Sequence, residues 1–389
     1  MKKVWPKSRL GDLFAFKNGR AFKKEEWATT GVPIIRIQNL NKEDAAFNYF
    51  LGEYSHDILI ENGDLLFSWS GTVGSSFGPH LWSRERGLLN QHIFKIGLSK
   101  EITTRYAFYG LRYITEEIEK SVSGAVGLVH ITKERLNEFT LPTPPLPEQQ
   151  RIVSLLDEAF EGIATAKANA GKNLQNARAI FDSHLLTILR SKKWKWKLLG
   201  ELCVGVEYGS SAKSKENGDI PVLRMGNIQD GRLDWDNLVY TDDEAEIKKY
   251  LLKHNDVLFN RTNSPELVGK SAVYKSEMPA IFAGYLIRIH RKEELLDADY
   301  LTYFLNSEIA SEFGKTVVIS SVNQANINGT KLKSYPIPAP SLSEQMAIVE
   351  MLGELAKETQ RLANIYQQKI AALEELKKAL LHKAFSGEL

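Results

Sequence analysis

Arginine, asparagine, glutamine, serine and threonine side chains held in loops are the types that hydrogen-bond directionally to the edges of DNA bases. The sequence carries two sets of them. The first comprises Arg36, Gln38, Asn39, Ser68, Ser70, Thr72, Asn90 and Gln91, with His92 beside them. The second comprises Arg224, Asn227, Asn260, Arg261, Thr262, Asn263, Asn323 and Gln324, the last two in the amide-rich stretch "SSVNQANIN" from Ser320. Turn chemistry competes at each position, because Asn and Ser favour turns whatever the loop does. Arg36 and Arg224 stand at matched strand-like positions, where a shared structural ion pair also competes.

Motifs for bond-making chemistry are missing across several classes. "SPELVGKS" from Ser264 resembles a phosphate-binding loop but lacks the first glycine, and reads better as a turn before a strand. "GTVGSSFG" from Gly71 does not match the dinucleotide fingerprint. The histidines have no metal-ligand spacing and Cys203 has no cysteine partner, so a zinc site is not expected. No GxSxG elbow, HExxH pair, amino-methyltransferase motif or S-adenosylmethionine loop stands out. The expectation is no catalytic residue, no metal and no cofactor in this chain. The basic run "RSKKWKWK" from Arg190 suits a phosphate clamp. It equally suits cations at a helix C-terminus followed by an opening strand.

The elements that must hold these loops are written twice. "LPTPPLPEQQRIV" from Leu141 returns as "IPAPSLSEQMAIV" from Ile337. The half-chains also open alike, with "WPKSRLGDL" from Trp5 and "WKWKLLGEL" from Trp194, and continue alike in "GVPIIRIQNL" and "DIPVLRMGNI", then "NGDLLFSWS" and "HNDVLFNRT". A period of roughly 190 residues is too long for a solenoid and describes a duplicated unit. Each unit begins with short apolar runs between Gly, Asn, Ser and Asp turns, which predict strands of a mostly β domain. "RYAFYGLRYITEEIEK" and "DYLTYFLNSEIASEF" have helical spacing.

Each unit then changes character. Apolar residues recur mostly in steps of three and four from Ile152 to Ile188 and from Ile348 to Ala384, with Thr359 in one gap of the second set and no proline in either. This predicts two long amphipathic helices with a narrow seam, each about 60 Å long for some forty residues. Neither can bury its seam alone, so antiparallel pairing with pseudo-twofold symmetry is expected. The fold class is α+β: two similar mostly-β globular domains, residues 1–145 and 192–341, separated by coiled-coil-like helices over 146–191 and 342–389. The prolines force an extended exit from each domain. Glu148 and Glu344 then fall in the first helical turn, where the helix dipole favours a carboxylate. With Gln149 and Gln345 they are expected at the helix junction or against a partner.

Composition bounds the rest. Charged residues are 25% and hydrophobic residues 43%, ordinary globular values, and the net charge of +2 neither demands nor excludes nucleic acid. One cysteine excludes a disulfide framework and fits a reducing cytoplasm. The start "MKKVWPKSRLGDLF" lacks the apolar core of a signal peptide, and no run is long and apolar enough to span a membrane.

The doubled "P-x-P-x-L-x-EQ-x-x-IV" segments, the helices after them, the tryptophan openings and "DVLFNRTNSPELVGKSA" together resemble the specificity subunits of type I restriction–modification systems over essentially the whole chain. The resemblance implies two target-recognition domains, each reading one half of a split double-stranded DNA sequence, with the helices as a ruler between them. It implies modification (methyltransferase) subunits, two of them, on the helical regions. Restriction/translocase subunits can join, and S-adenosylmethionine and ATP belong to the partners. No base-contact residue carries over, because recognition domains of the family vary. "SWSGTVGSSFGPH" differs from "NRTNSPELVGKSA", so the halves are expected to read different bases. The competing readings are a self-contained DNA methyltransferase and a structural DNA-bridging or coiled-coil partner-binding protein without sequence preference.

Overall fold

The structure is a computed structural model. It describes residues 4–42, 44–72, 74–122, 128–264, 267–321 and 324–389, with the side chains of Leu128, Ser320, Ser321 and Gln324 outside the description. The chain divides into two units, Met1–Asn169 with Lys369–Leu389, and Ala170–Gln368.

The first unit is built on two sheets. In one, Phe14–Asn18, Ile93–Leu98, Leu65–Ser68 and Gly78–Leu81 pair antiparallel in that order. In the other, Asn48–Phe50, Val32–Ile35, Gly87–Leu89 and Leu59–Ile60 are neighbours, with a parallel pairing of Val32–Ile35 on Gly87–Leu89. The apolar runs "PII" and "DLLF" are these buried strands; Leu65, Leu66, Phe67, Ile34 and Ile35 are at most 2% exposed. The helix Thr104–Val122 packs Tyr106, Leu111, Ile114 and Ile118 onto the first sheet.

The second unit repeats the plan. Cys203–Tyr208, Leu286–Arg291, Val257–Asn260 and Ser271–Val273 form the antiparallel sheet in the same order. Ile220–Leu223 pairs parallel with Ile281–Phe282, as Val32–Ile35 does with Gly87–Leu89. The stretch expected as one helix is here two, Ala298–Leu305 and Glu308–Val317. The break has a cause: the Asn306 amide reaches the neighbouring strand, donating to the Ser271 carbonyl and accepting from the Ser271 N–H (both 2.9 Å) while also donating to Thr302 of its own helix (3.0 Å), and Ser307 caps the second piece.

Both domains end in the same joint. The proline segment is an edge strand closing on the opening of its own half: Thr140–Pro142 on Lys7–Arg9, and Pro336–Pro338 on Trp196–Leu198. Proline sits there without loss because an edge strand has N–H groups to spare. The long helices Leu146–Leu189 and Leu342–Ser386 start at once. Leu156, Ile163, Ala170 and Ala177 are buried at seven-residue intervals, the spacing of a coiled-coil seam. Inside the first unit Arg151 donates to the Leu389 carbonyl, Phe160 lies under Lys377 and Lys167 pairs with Glu374. Positions rise on one helix as they fall on the other, so the pair is antiparallel. In the second unit Leu185 and Leu189 share a core with Ile348 and Leu352.

Candidate nucleic-acid interface

The joint is the best-built polar site in each unit. Gln149 is fully buried; its Nε2 donates to the carbonyls of Glu101 (2.7 Å) and Pro144 (2.9 Å), and its Oε1 accepts from Thr103 N–H (3.0 Å). Gln345 does the same with Leu295 (2.8 Å), Pro340 (3.0 Å) and Asp297 (2.9 Å). The hydroxyls of Tyr106 and Tyr300 donate to Pro142 (2.9 Å) and Pro338 (2.8 Å). Burial pushes both phenols well above their usual range, so they stay donors. Every amide group of the two glutamines is used within its own unit, which leaves nothing to offer a partner.

The acids beside them are exposed or half-exposed. Glu344 accepts from Ser341 N–H and Oγ (2.8 and 2.7 Å), a capping box that holds its carboxyl below the usual range. Glu148 meets Arg151 at 2.8 Å.

The loop candidates divide by what their side chains already do. Asn39 and Asn227 are buried and spent on loop closure. Each accepts from the N–H of its arginine (3.0 and 2.9 Å) and donates across the loop, to Ala45 and Ala46 in one case and to Asp234 and Asp236 in the other. Arg36 donates to Asn48 Oδ1 (3.1 Å) and stacks over Trp27, while Arg224 donates to the Asn237 carbonyl (2.8 Å). Neither arginine makes the ion pair that competed for them among the described residues. Ser68 and Asn260 are fully buried, and their side chains bond the turns that follow, at the Ser70 carbonyl (3.0 Å) and Thr262 N–H (3.3 Å). Thr262 is buried and accepts from Asn326 at 2.7 Å.

What remains is at the strand exits. In the first unit Trp27, Arg36, Gln38, Asn90, Gln91 and His92 line a cavity of about 360 Å³. Gln38 is exposed, reaching the Ala46 carbonyl at 3.3 Å; Gln91 is exposed with its amide 3.1 Å from His92 Nε2. Ser70 and Thr72 lie on the short strand Ser70–Thr72, paired with Leu128–His130. In the second unit Arg261 stacks over Tyr208, 4.8 Å from the ring centroid, and among the described residues its side chain makes only long bonds, 3.4 Å to the Gly284 carbonyl and 3.3 Å to Asn326 Oδ1. The Asn263 side chain accepts from Ser264 N–H at 2.8 Å. Asn323 lies outside the described residues, as does the Gln324 side chain.

The sequence reading passed over Trp69, His130, Tyr208, Tyr285 and Asn326, which cluster with these side chains. Trp69 meets His130 at 4.6 Å and His92 at 5.2 Å. Aromatic residues leaving a buried strand read as core. The available signal was the match of "LLFSWS" to "VLFNRT", which sets Trp69 against Arg261. Of the basic run, Trp194 packs on the second core whereas Trp196 is exposed. Gly269, in the left-handed region at φ +98°, ends the turn that leads into Ser271–Val273. No group of metal-ligating side chains is found among the described residues, and no helix is long and apolar enough to cross a membrane.

Two copies of one sheet-and-helix domain, each joined by the same buried glutamine to a long helix of an antiparallel pair, define a duplicated α+β scaffold with polar loops at its strand exits. Residues 2–172 and 191–374 each match the family described as type I restriction modification DNA specificity domain, and the chain belongs to that family. It is 25% identical over 424 residues to the type I restriction enzyme EcoBI specificity subunit of Escherichia coli, covering 99% of this chain and 86% of that one. It is also 25% identical over 411 residues to the MjaVIII specificity subunit of Methanocaldococcus jannaschii, covering 99% and 93%. Among solved structures, a chain from work on the assembly and conformational transition of the type I R-M system aligns over 99% of this chain and 98% of its own (TM-score 0.79, 19% identity). The HsdS subunit of Thermoanaerobacter tengcongensis aligns over 99% and 97% (TM-score 0.60, 20% identity).

Proposed function

We propose that this chain is the non-catalytic, sequence-reading subunit of a type I restriction–modification complex, and that each domain reads one half of a bipartite double-stranded DNA target. One observation carries the reading: the joint is the same twice, down to the glutamine and tyrosine bonds, while the strand-exit side chains differ. A scaffold kept constant under variable polar tips is what reading two different half-sites requires. Phosphate contacts set the register of each domain and the tips read base edges. The antiparallel helices fix the separation of the half-sites.

Two modification subunits dock on the helical regions and supply S-adenosylmethionine chemistry; restriction subunits with ATP-driven translocation are further partners. The chain itself needs no cofactor, and the complex works in the cytoplasm, where the DNA is. The test is sequencing of methylated bases in cells with and without this gene. The proposal expects one two-part methylation motif that disappears with the gene. DNA binding without sequence preference supports a bridging protein instead, and S-adenosylmethionine binding by the isolated chain supports a self-contained methyltransferase.

A further inference from the structure

The internal duplication allows one domain to be laid on the other through backbone hydrogen bonds alone. Asn90 N–H donates to Ile35 (3.1 Å) as Ala283 does to Leu223 (2.9 Å). Trp69 N–H donates to His92 (3.3 Å) as Arg261 does to Tyr285 (3.0 Å). Ile131 N–H donates to Trp69 (3.0 Å) as Ile327 does to Arg261 (2.9 Å), and His130 stands opposite Ser70 as Asn326 stands opposite Thr262. A glycine is required at the same spot in both: a Cβ on Gly19 would lie 2.2 Å from the Asn90 carbonyl oxygen, and one on Gly209 would lie 2.5 Å from that of Ala283. The backbone of this turn is therefore one structure built twice.

Its side chains are not. Where the first domain has Trp69, Asn90, Gln91, His92 and His130, the second has Arg261, Ala283, Gly284, Tyr285 and Asn326. No residue is shared at any of the five. Elsewhere on the same frame the pairs match in both residue and task, as Arg36 and Asn39 do with Arg224 and Asn227. Packing does not explain the divergence, since Gln91, His130 and Tyr285 are exposed.

A second observation points the same way. Among the described residues, buried side-chain atoms without a hydrogen-bond partner include Trp69 Nε1, His92 Nδ1 and Arg261 Nε. Trp69 and Arg261 are equivalent, and the His92 ring lies 5.2 Å from that of Trp69, tilted against it. Folded proteins leave few such groups, and three of the eight found among the described residues fall at these equivalent positions.

Resting on the function proposed above, we infer that these five equivalent positions are the specificity-determining residues: base choice is set at 69, 90, 91, 92 and 130 in the first domain and at 261, 283, 284, 285 and 326 in the second. The arginine–asparagine pairs position the loops and do not choose bases. Tyr285 offers an exposed flat ring to thymine methyls, Gln91 and Asn90 offer amides to adenine and Arg261 offers a fork to guanine, while Trp69, packed on Phe94, and Asn326, bonded to Thr262, shape the surface beside them.

The test uses the full chain assembled with its modification subunits. Binding is titrated on its own methylation motif and on duplexes scrambled in either half. Gln91→Ala and Tyr285→Ala, both at exposed side chains that leave the core intact, are compared with the transplant His92→Tyr with Gln91→Gly. The expected result is a fall of roughly tenfold or more in discrimination for the half-site of the altered domain. The other half-site and the spacer stay unchanged. Discrimination within twofold of the unaltered chain for all three variants overturns the inference. If the unaltered chain itself prefers no two-part sequence, the function proposed above fails instead.

Discussion

Replacing Gln149 by Leu tests whether the doubled motif is a joint. The side chain is fully buried and makes three hydrogen bonds at 2.7, 2.9 and 3.0 Å. Each such bond contributes about 1 kcal/mol net, and the Thr103 N–H left buried without an acceptor costs about 1–3 kcal/mol more. Leucine returns about 1–2 kcal/mol through apolar burial, so the net loss is about 3 kcal/mol. The exposed neighbour Gln150 is the control; Gln150→Leu should stay within about 0.5 kcal/mol. Chemical denaturation followed by tryptophan fluorescence reads both. Gln345→Leu should cost a similar amount, and the double variant should show the two losses added within about 0.5 kcal/mol, because the glutamines share no partner. Gln149→Leu indistinguishable from Gln150→Leu would refute the reasoning and return the motif to a partner-binding role.

Removing one heptad from each long helix, about 10 Å of rise, should shorten the spacer of the methylation motif by about three base pairs and leave both half-sites unaltered; motif sequencing reads it. His80, whose Nε2 is buried without a partner among the described residues, has its pKa lowered from 6.5 to about 4 by burial, against a ring N–H bond donated to the Ser76 backbone and with the nearby Arg112 charge. Its neutral form is favoured by the fold, so stability of the first unit is full above about pH 6.5 and falls by up to about 3 kcal/mol as pH drops towards 4. His80→Phe should remove that part of the slope in denaturation measured across pH. Arg288 is buried between Glu207 (2.6 Å) and Asp256 (3.0 Å); replaced by Met, it leaves Asp256 without its ion pair and Glu207 with His290 alone (3.1 Å), which should cost about 3 kcal/mol in the second unit.

The joint and the helices were legible because their causes are local. Proline excludes helix where it stands, and a seam at three- and four-residue steps is visible in the residues themselves. The parallel pairing of Val32–Ile35 with Gly87–Leu89 was not legible, because nothing near either strand names its partner. The break at Asn306 was hidden for the same reason: its amide answers to a strand edge 35 residues away. Among the site candidates, residue type alone could not separate Asn39, spent on loop closure, from Gln91, which is exposed. Nor could it separate Trp69 at a strand exit from a core tryptophan. The repeat supplied that distinction only once both backbones were known.

The central claim is that each domain reads one half of the target by itself. Exchanging residues 1–145 for the first domain of a relative, in the assembled complex, tests it most directly when methylated bases are then sequenced genome-wide. The expected motif has one half-site replaced and the other half-site and spacer length retained. A motif in which both half-sites change, or neither does, contradicts it.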